Sequence, residues 1–295
     1  MPRYVSIAAV NFAVRPVGSF DEFGDHCRAL LNQAKAADLV LFPELFTVEL
    51  FSTYSDWKTA PIAELTRIDE FTDAYRALFT EEAKSRDQYI VAGSHLLKDG
   101  DRYVNVGHLF EPNGTIHQHI KTHIFPAEAD WSTEEGVTVE KIELPFATVA
   151  FNICYEAEIP ECAATATEQG AEIILCPSYT FTEFGFWRVR HCAQARAIEN
   201  QVYFVHCCTG GRPGAPLPNG WAQSSILTPC DNLWTPNGIV AEATVNEEMV
   251  VRGTVDIDKL YQNRETGAAP TFRDRRRRAD LYVNWPSHTS ALVQS

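Results

Sequence analysis

The chain of 295 residues carries 39 acidic and 25 basic side chains, which gives a formal net charge of −14. This excess of negative charge argues against nucleic acid and anionic membranes as partners, and it favours a small-molecule partner. An apolar fraction of 45% supports a sizeable core. No apolar run approaches the roughly 20 residues that span a bilayer. Because no repeat or Gly/Ser linker divides the chain, we expect one soluble domain, residues 1–295.

The cysteines indicate a reducing compartment. Eight of them in a chain of this length, most within apolar or helical patterns, are not typical of a disulfide framework. We therefore predict reduced thiols and a cytoplasmic location. No Cys-x-x-Cys pair occurs, and the nine histidines show no zinc-ligand spacing, so no metal site is expected. The short apolar stretch within residues 1–14 lacks a small-residue cleavage site and is interpreted as a first core strand.

Apolar spacing predicts strands and helices that alternate along the chain. The predicted helices cover residues 20–36, 70–85, 160–169 and 184–200. The predicted strands cover residues 4–12, 38–43, 88–93, 103–111, 115–120, 146–153, 172–176, 201–207, 222–228, 239–244 and 249–256. Pro112-Asn113-Gly114 is a strong hairpin signal between two of these strands. The pattern indicates an α/β protein with mixed sheets; two packed sheets and a single doubly wound sheet both remain open.

Cys154 is the most informative residue, because a strand-like apolar run ends just before it and a helix is predicted from Pro160. A nucleophile at such a turn is held rigidly and faces outward. Taken alone, a cysteine is more often a small buried apolar residue. Glu44 and Lys121 change this interpretation, because each also stands at the end of a predicted strand. The order Glu, Lys, Cys at three strand ends predicts a catalytic set.

The segments around these residues resemble the nitrilase, or carbon–nitrogen hydrolase, superfamily over residues 4–258. The motifs are Phe42-Pro43-Glu44-Leu45-Phe46, Lys121-Thr122-His123, and Asn152-Ile153-Cys154-Tyr155-Glu156 with Pro160-Glu161. Supporting matches are Gly93-Ser94, Pro177-Ser178, Arg196-Ala197, Glu199-Asn200 and the segment from Ser225 to Pro229. The resemblance implies a four-layer α-β-β-α sandwich of two mixed β-sheets flanked by helices. It also implies a Glu–Lys–Cys catalytic set without a metal or other cofactor.

In that set Cys154 would attack an amide carbonyl as a thiolate. Glu44 would take its proton and later deliver one to the departing amine. Lys121 and the backbone N–H of Tyr155 would stabilise the tetrahedral oxyanion. The resulting thioester would be hydrolysed by water that Glu44 activates.

Further site residues follow from the same resemblance. Glu128, seven residues past Lys121, is the candidate for a second carboxylate that holds this lysine. Three neighbouring acids remain alternatives: Asp130, Glu134 and Glu135. His123 is expected to make a structural hydrogen bond, and Glu156 to point away and fix the turn. Four aromatic residues are candidate pocket walls: Tyr54, Tyr179, Phe181 and Trp187.

Members of this superfamily act on nitriles, amides or carbamoyl groups. Nitrile-cleaving members typically have Trp after the nucleophile, so Tyr155 favours a small amide as the substrate. Hydrolysis of a nitrile to the acid and hydrolysis of an N-carbamoyl compound remain alternatives. Two hypotheses of another class are an idle scaffold of the same fold and a thiol redox sensor that uses Cys154.

The resemblance also implies a homodimer or a higher homo-oligomer. The C-terminal extension, residues 259–295, contains five arginines among residues 273–278. This cluster could bind phosphate or an acidic partner. We expect instead a solvated segment or an ion-pair patch at a subunit interface.

Overall fold

The computed structural model describes residues 3–132 and 134–282, and these form twelve β-strands and six α-helices. The strands are β1 Tyr4–Val14, β2 Leu39–Phe42, β3 Tyr89–Asp99, β4 Arg102–Phe110, β5 Ile116–Ile120, β6 Lys141–Glu143, β7 Thr148–Phe151, β8 Ile173–Ser178, β9 Tyr203–Gly211, β10 Ser225–Leu227, β11 Ile239–Glu242 and β12 Met249–Asp256. The helices are α1 Phe20–Gln33, α2 Thr72–Arg86, α3 Pro160–Glu168, α4 Glu183–Asn200, α5 Ile257–Thr266 and α6 Thr271–Arg277. Short 3-10 helices are Phe46–Thr53, Ile62–Phe71, Pro126–Asp130, Cys154–Glu158 and Ala279–Leu281.

The twelve strands form two mixed sheets, which are joined where β1 of the first pairs with β9 of the second. The first sheet has the order β5-β4-β3-β2-β1-β12, and the second has the order β6-β7-β8-β9-β10-β11. Within each sheet the central pairs are parallel, β1–β2 and β2–β3 in one and β7–β8 and β8–β9 in the other. Residues 12–14 of β1 pair in parallel with residues 209–211 of β9, which joins the two sheets.

The layers follow from the alternation of side chains along the strands. Val5 and Ile7 of β1 pack in one cluster with Leu175 of β8 and other residues of the second sheet. Val10 and Phe12, which point to the opposite face of β1, pack in a second cluster with α1 and α2. The predicted four-layer sandwich of two sheets flanked by helices is therefore confirmed.

The predicted elements are present, with bounds that differ by a few residues in most cases. β3 is longer than predicted, since it continues to pair with β4 beyond a register shift at Gly93. Gly93 has a φ of +55°, and a Cβ there would lie 1.8 Å from the carbonyl oxygen of Pro43. The glycine thus allows β3 to approach the segment that leads into Glu44.

The sequence did not predict β6, α5 or α6. α6 contains most of the arginine cluster and packs on α4, where Arg275 Nη1 donates to Asn200 Oδ1 at 2.7 Å and Thr271 Oγ1 donates to the Ile198 carbonyl. Residues 283–295 of the predicted C-terminal extension lie outside the described residues. Among the residues that are described, no helix combines the length and the apolar character needed to cross a membrane.

Candidate active site

Three strand ends meet at the site. Glu44 follows β2 after one proline, Lys121 directly follows β5, and Cys154 follows β7 after two intervening residues. β2 and β5 belong to the first sheet and β7 to the second, so the site lies where the two sheets face each other. The side chains of Glu44 and Lys121 are almost fully buried.

Lys121 links two carboxylates. Its Nζ donates to Glu44 Oε1 at 2.7 Å and to Glu128 Oε2. The other oxygen of Glu44 accepts from the backbone N–H of Tyr179 at 2.8 Å. Glu128 Oε2 also accepts from the backbone N–H of Phe125 at 3.1 Å. Of the four acids that the sequence left open, Glu128 is the one that contacts Lys121.

Asn105 of β4 joins the same two carboxylates. Its Nδ2 donates to Glu44 Oε1 at 3.0 Å and to Glu128 Oε1 at 2.9 Å. The Lys121 N–H donates to the Asn105 carbonyl, which places the two residues opposite each other across the β4–β5 hairpin. The sequence motifs do not include Asn105. The available signal was an amide side chain in an apolar strand, facing the end of the strand that precedes Lys121.

The nucleophile turn is fixed by its backbone conformation and by Glu156. Cys154 has a φ of +47°, a left-handed conformation that is uncommon for a residue with a side chain, and it begins the 3-10 helix. The buried Glu156 carboxylate accepts from the backbone N–H groups of Ile153 and Thr122, from the Thr122 hydroxyl and from His119 Nε2. Glu156 therefore ties the turn that carries Cys154 to the segment that follows Lys121, in keeping with the turn-fixing role expected for it.

Burial and neighbouring charges set the protonation states. Burial is the largest effect on Glu44 and raises its pKa to about 7, while Lys121 opposes this rise and Glu128 adds to it. Burial alone would lower the pKa of Lys121, but Glu128 and Glu44 outweigh it and hold that pKa above its usual value. Burial, followed by Glu44, raises the pKa of the Cys154 thiol well above its usual value. At neutral pH the site therefore holds a neutral thiol and a cationic lysine.

A cavity of about 190 Å³ opens onto these groups. It is smaller than the roughly 300–1,000 Å³ of sites for drug-sized ligands. Its apolar walls come from five aromatic residues and two aliphatic ones: Phe125, Tyr155, Tyr179, Phe181, Phe184, Leu45 and Val189. Its polar lining includes Glu44, Glu128, Cys154, Glu158 and Arg188. The cavity therefore suits a small substrate with an apolar part.

Of the four predicted wall residues, Tyr179 and Phe181 line this cavity and two do not. Tyr155, the predicted oxyanion donor, also lines it. The Tyr54 hydroxyl donates to the Arg67 carbonyl, and its ring packs under the Arg67 guanidinium, away from the lining. Trp187 is half-exposed on α4 and donates to Glu183. Phe184, Arg188 and Val189 lie on the face of α4 that lines the cavity. Because of the helical periodicity, Trp187 lies on a different face of the same helix. This placement corrects the prediction for Tyr54 and Trp187.

His123 contacts Thr122 and lies 3.7 Å from the Cys162 sulfur, outside the cavity lining. This contact is in keeping with the structural hydrogen bond expected for it. Within residues 3–132 and 134–282, no group of three or more His, Cys, Asp or Glu side chains is arranged to hold a metal ion.

Residues 7–265 match the carbon–nitrogen hydrolase family. The chain belongs to this family, which confirms the resemblance seen in its motifs. It is 36% identical over 287 residues to a probable hydrolase of Bacillus subtilis, YhcX, covering 94% of this chain and 54% of that protein. The chain thus spans about half the length of this relative.

Two further comparisons cover nearly whole chains. An omega-amidase of Xenopus laevis, NIT2-A, is 28% identical over 286 residues, which is 94% of this chain and 96% of the relative. A crystal structure of an amidase from Nesterenkonia sp. has a TM-score of 0.70 and 18% identity, covering 95% of this chain and 96% of that one. That structure is of a mutant in which the acetamide moiety of fluoroacetamide is covalently added at the active-site cysteine. At this identity the likeness concerns the fold alone.

Proposed function

We propose that the protein hydrolyses the carbon–nitrogen bond of a small amide through a thioester on Cys154, releasing ammonia or an amine. The observation that carries this proposal is the buried Lys121, which holds Glu44 and Glu128 in a small cavity that Cys154 also lines. The set offers a thiol, a carboxylate whose pKa lies near neutrality and a fixed cation within one enclosure. These are the groups that acyl transfer requires.

In the first half-reaction the Cys154 sulfur forms a bond to the carbonyl carbon while its proton passes to Glu44. The pKa values favour this route, since the resting thiol is neutral and Glu44 is ionised in a large fraction of molecules near neutral pH. The oxygen of the carbonyl becomes negative and is stabilised by Lys121 and the N–H of Tyr155. The carbon–nitrogen bond then breaks, and the departing nitrogen takes the proton from Glu44.

In the second half-reaction water attacks the thioester. Glu44 accepts a proton from the water, the new oxyanion collapses, and the carbon–sulfur bond breaks. The proton returns to the Cys154 sulfur, and the carboxylic acid leaves. Glu128 takes no proton in this scheme. It holds Lys121 and, with Asn105, fixes the Glu44 carboxylate.

The choice of an amide over a nitrile is supported by Tyr155 and by relatives. The Xenopus relative is named an omega-amidase and the Nesterenkonia protein an amidase. The acetamide moiety that fluoroacetamide leaves on the active-site cysteine of a mutant of the Nesterenkonia amidase is in keeping with a nucleophilic cysteine in that protein. Nitrile hydrolysis and N-carbamoyl hydrolysis are the alternatives that the following test separates.

The test is ammonia release from small primary amides, the matching nitriles and N-carbamoyl amino acids. We expect release from amides by the wild type, and a fall of at least about 10³-fold in Cys154→Ala, because the nucleophile is lost. Cys192→Ala serves as the matched control, since Cys192 is a half-exposed thiol of α4 outside the cavity lining. Amide turnover that persists in Cys154→Ala would end the proposal. Release from nitriles alone would assign the other reaction.

A further inference from the structure

The cavity wall contains an ion pair that the proposed reaction does not use. Arg188 of α4 and Glu158, the last residue of the nucleophile's 3-10 helix, both line the cavity. Arg188 Nε donates to Glu158 Oε2 at 2.7 Å. The Glu158 side chain is mostly buried, whereas that of Arg188 is 48% exposed. An ion pair this exposed contributes little to stability, so stability alone gives a weak reason for placing it here.

The Arg188 guanidinium has hydrogen-bond donors that no described residue accepts. A guanidinium carries five N–H groups, and only Nε–H is used in a hydrogen bond to any residue that the structure describes. The centroid of the Phe125 ring, which also lines the cavity, lies 5.7 Å from the Arg188 Cζ. The two terminal nitrogens therefore form a free fork, which is the geometry that pairs with a carboxylate through two parallel hydrogen bonds.

The charges of the cavity favour an anionic substrate group at Arg188 over a cationic one at Glu158. Glu158 already accepts from Arg188, so an incoming ammonium would have to compete with a cation held in place. At the base of the cavity, Glu44 and Glu128 face the single charge of Lys121. A negative substrate group would be repelled there and would have to be held elsewhere. Arg188 is the cation of the cavity lining, within the described residues, that could do so.

We propose that Arg188 binds a carboxylate of the substrate, and that Glu158 orients Arg188 for this contact. This inference rests on the proposed function and adds the substrate class: amides that carry an acidic group. The carboxylate has two possible sources. It can lie on the acyl chain, as in the monoamide of a dicarboxylic acid, or on the amine side, as in an N-carbamoyl amino acid.

The experiment compares substrates that differ by one charge. kcat/KM is measured for the monoamide of a five-carbon dicarboxylic acid and for the neutral straight-chain amide of equal length, and the ratio of the two values is taken. An N-carbamoyl amino acid and its neutral amide form the second pair. We expect Arg188→Gln to lower the ratio by about ten- to a hundredfold in the pair that matches the natural source, because one charged, bidentate contact is lost.

Arg28→Gln is the matched control. Arg28 lies on α1, outside the cavity lining, and is 46% exposed with an Nε–Glu82 contact of 2.9 Å, so it loses a comparable surface ion pair. It should leave the ratio unchanged. Arg188→Lys keeps the charge but not the fork, and it should restore part of the ratio. If Arg188→Gln slows acidic and neutral amides equally, the pair is structural and the inference is wrong.

Binding separates this inference from the proposed function. Calorimetry on Cys154→Ala, with and without Arg188→Gln, measures affinity without turnover. Binding of the acidic monoamide that depends on Arg188 would support the site even if the wild type hydrolysed no amide, an outcome that would remove only the proposed function. Affinity that is equal with and without Arg188 would overturn the inference.

Discussion

Asn105 shows how much one uncharged side chain can do in this site. It donates to both Glu44 and Glu128, and its hydrogen bond to Glu44 favours the ionised form of that carboxylate without adding charge. Glu44 has a pKa of about 7 despite this help, because burial and the repulsion from Glu128 outweigh the attraction of Lys121. The ionised fraction of the proposed base near neutral pH is therefore sensitive to each of its donors.

We expect kcat/KM of the wild type to rise with pH through about 7 as Glu44 ionises. Asn105→Leu removes one hydrogen-bond donor to Glu44. It should raise the midpoint of the acidic limb of the kcat/KM profile by about one pH unit, since a hydrogen bond to a charged group contributes about 1.5 kcal/mol. The pH–rate profile of both proteins measures the shift. Asn200→Leu, which replaces a buried asparagine of α4, should reduce stability without moving the limb. A limb that stays in place in Asn105→Leu would contradict this role.

At the scale of single residues, the sequence was sufficient to predict the site residues that belong to motifs. Glu44 and Cys154 each follow an apolar run and Lys121 follows a short predicted strand, and these patterns are visible without a structure. Asn105 was not recognised, because its role depends on the pairing of β4 with β5. Trp187 was misplaced because an aromatic residue near a pocket and one on the outer side of the same helix have the same local pattern.

The 3-10 helix Cys154–Glu158 is the element that holds the nucleophile, and it depends on Glu156. Four donors from three residues converge on this buried carboxylate: His119, Thr122 and Ile153. Burial alone would raise the pKa of Glu156, but His119 and Thr122 outweigh it and lower that pKa below its usual value. A depressed pKa in the folded state means that this stabilisation is complete above pH 4.5 and is lost as the pH falls below it.

Glu156→Gln should therefore destabilise the fold by about 3 kcal/mol. The glutamine amide has one acceptor oxygen where the carboxylate has two, and its NH₂ group would face the N–H and O–H donors that now bind the carboxylate. Urea denaturation at several pH values, from neutral pH down to well below 4.5, measures this. The wild type should lose stability as the pH falls below 4.5, and the variant should show a weaker dependence. Glu161→Gln, on the exposed face of α3, is the control and should behave like the wild type. Equal stability of Glu156→Gln and wild type would refute this account of the turn.

The sequence predicted the longer elements because their apolar periodicity is strong. β6 has three residues, Lys141–Glu143, of which only Ile142 is buried, so its sequence carries no strand signal. α6 has no buried residue and was recognised only as a charged segment. The 3-10 helix Phe46–Thr53, which follows Glu44, is almost wholly buried although it mixes apolar with polar residues, a pattern that does not indicate this type of helix. Short elements are decided by their neighbours more than by their own residues.

At the scale of the whole molecule, the site is a product of sheet packing. Glu44 and Lys121 come from the first sheet and Cys154 from the second, so the proposed nucleophile meets its partners only when the sheets face each other. The pairing of β1 with β9 fixes the position of one sheet relative to the other. This pairing requires a glycine at position 211, because Gly211 has a φ of +99° and an added Cβ would lie 2.3 Å from the carbonyl oxygen of Val14. No local pattern in the sequence predicts this pairing, and the layer order came from the family resemblance instead.

The association of whole molecules remains our proposal. A homo-oligomer was expected from the resemblance, with residues 259–295 at a subunit interface. Arg273 and Arg277 share the contact to Asp274 on α6, and both side chains are exposed. We propose that their remaining donors pair with acidic groups of another subunit of this strongly acidic chain.

The most direct test of the central claim is intact-protein mass spectrometry after rapid acid quench of the enzyme with a small amide in excess. The account predicts a mass increase equal to the acyl group less one hydrogen, located by peptide mapping on Cys154 and missing from Cys154→Ala. Glu44→Gln should slow its formation, because the base that accepts the thiol proton is lost. Ammonia release by the wild type with no adduct at Cys154 at any quench time, together with undiminished turnover by Cys154→Ala, would contradict the account.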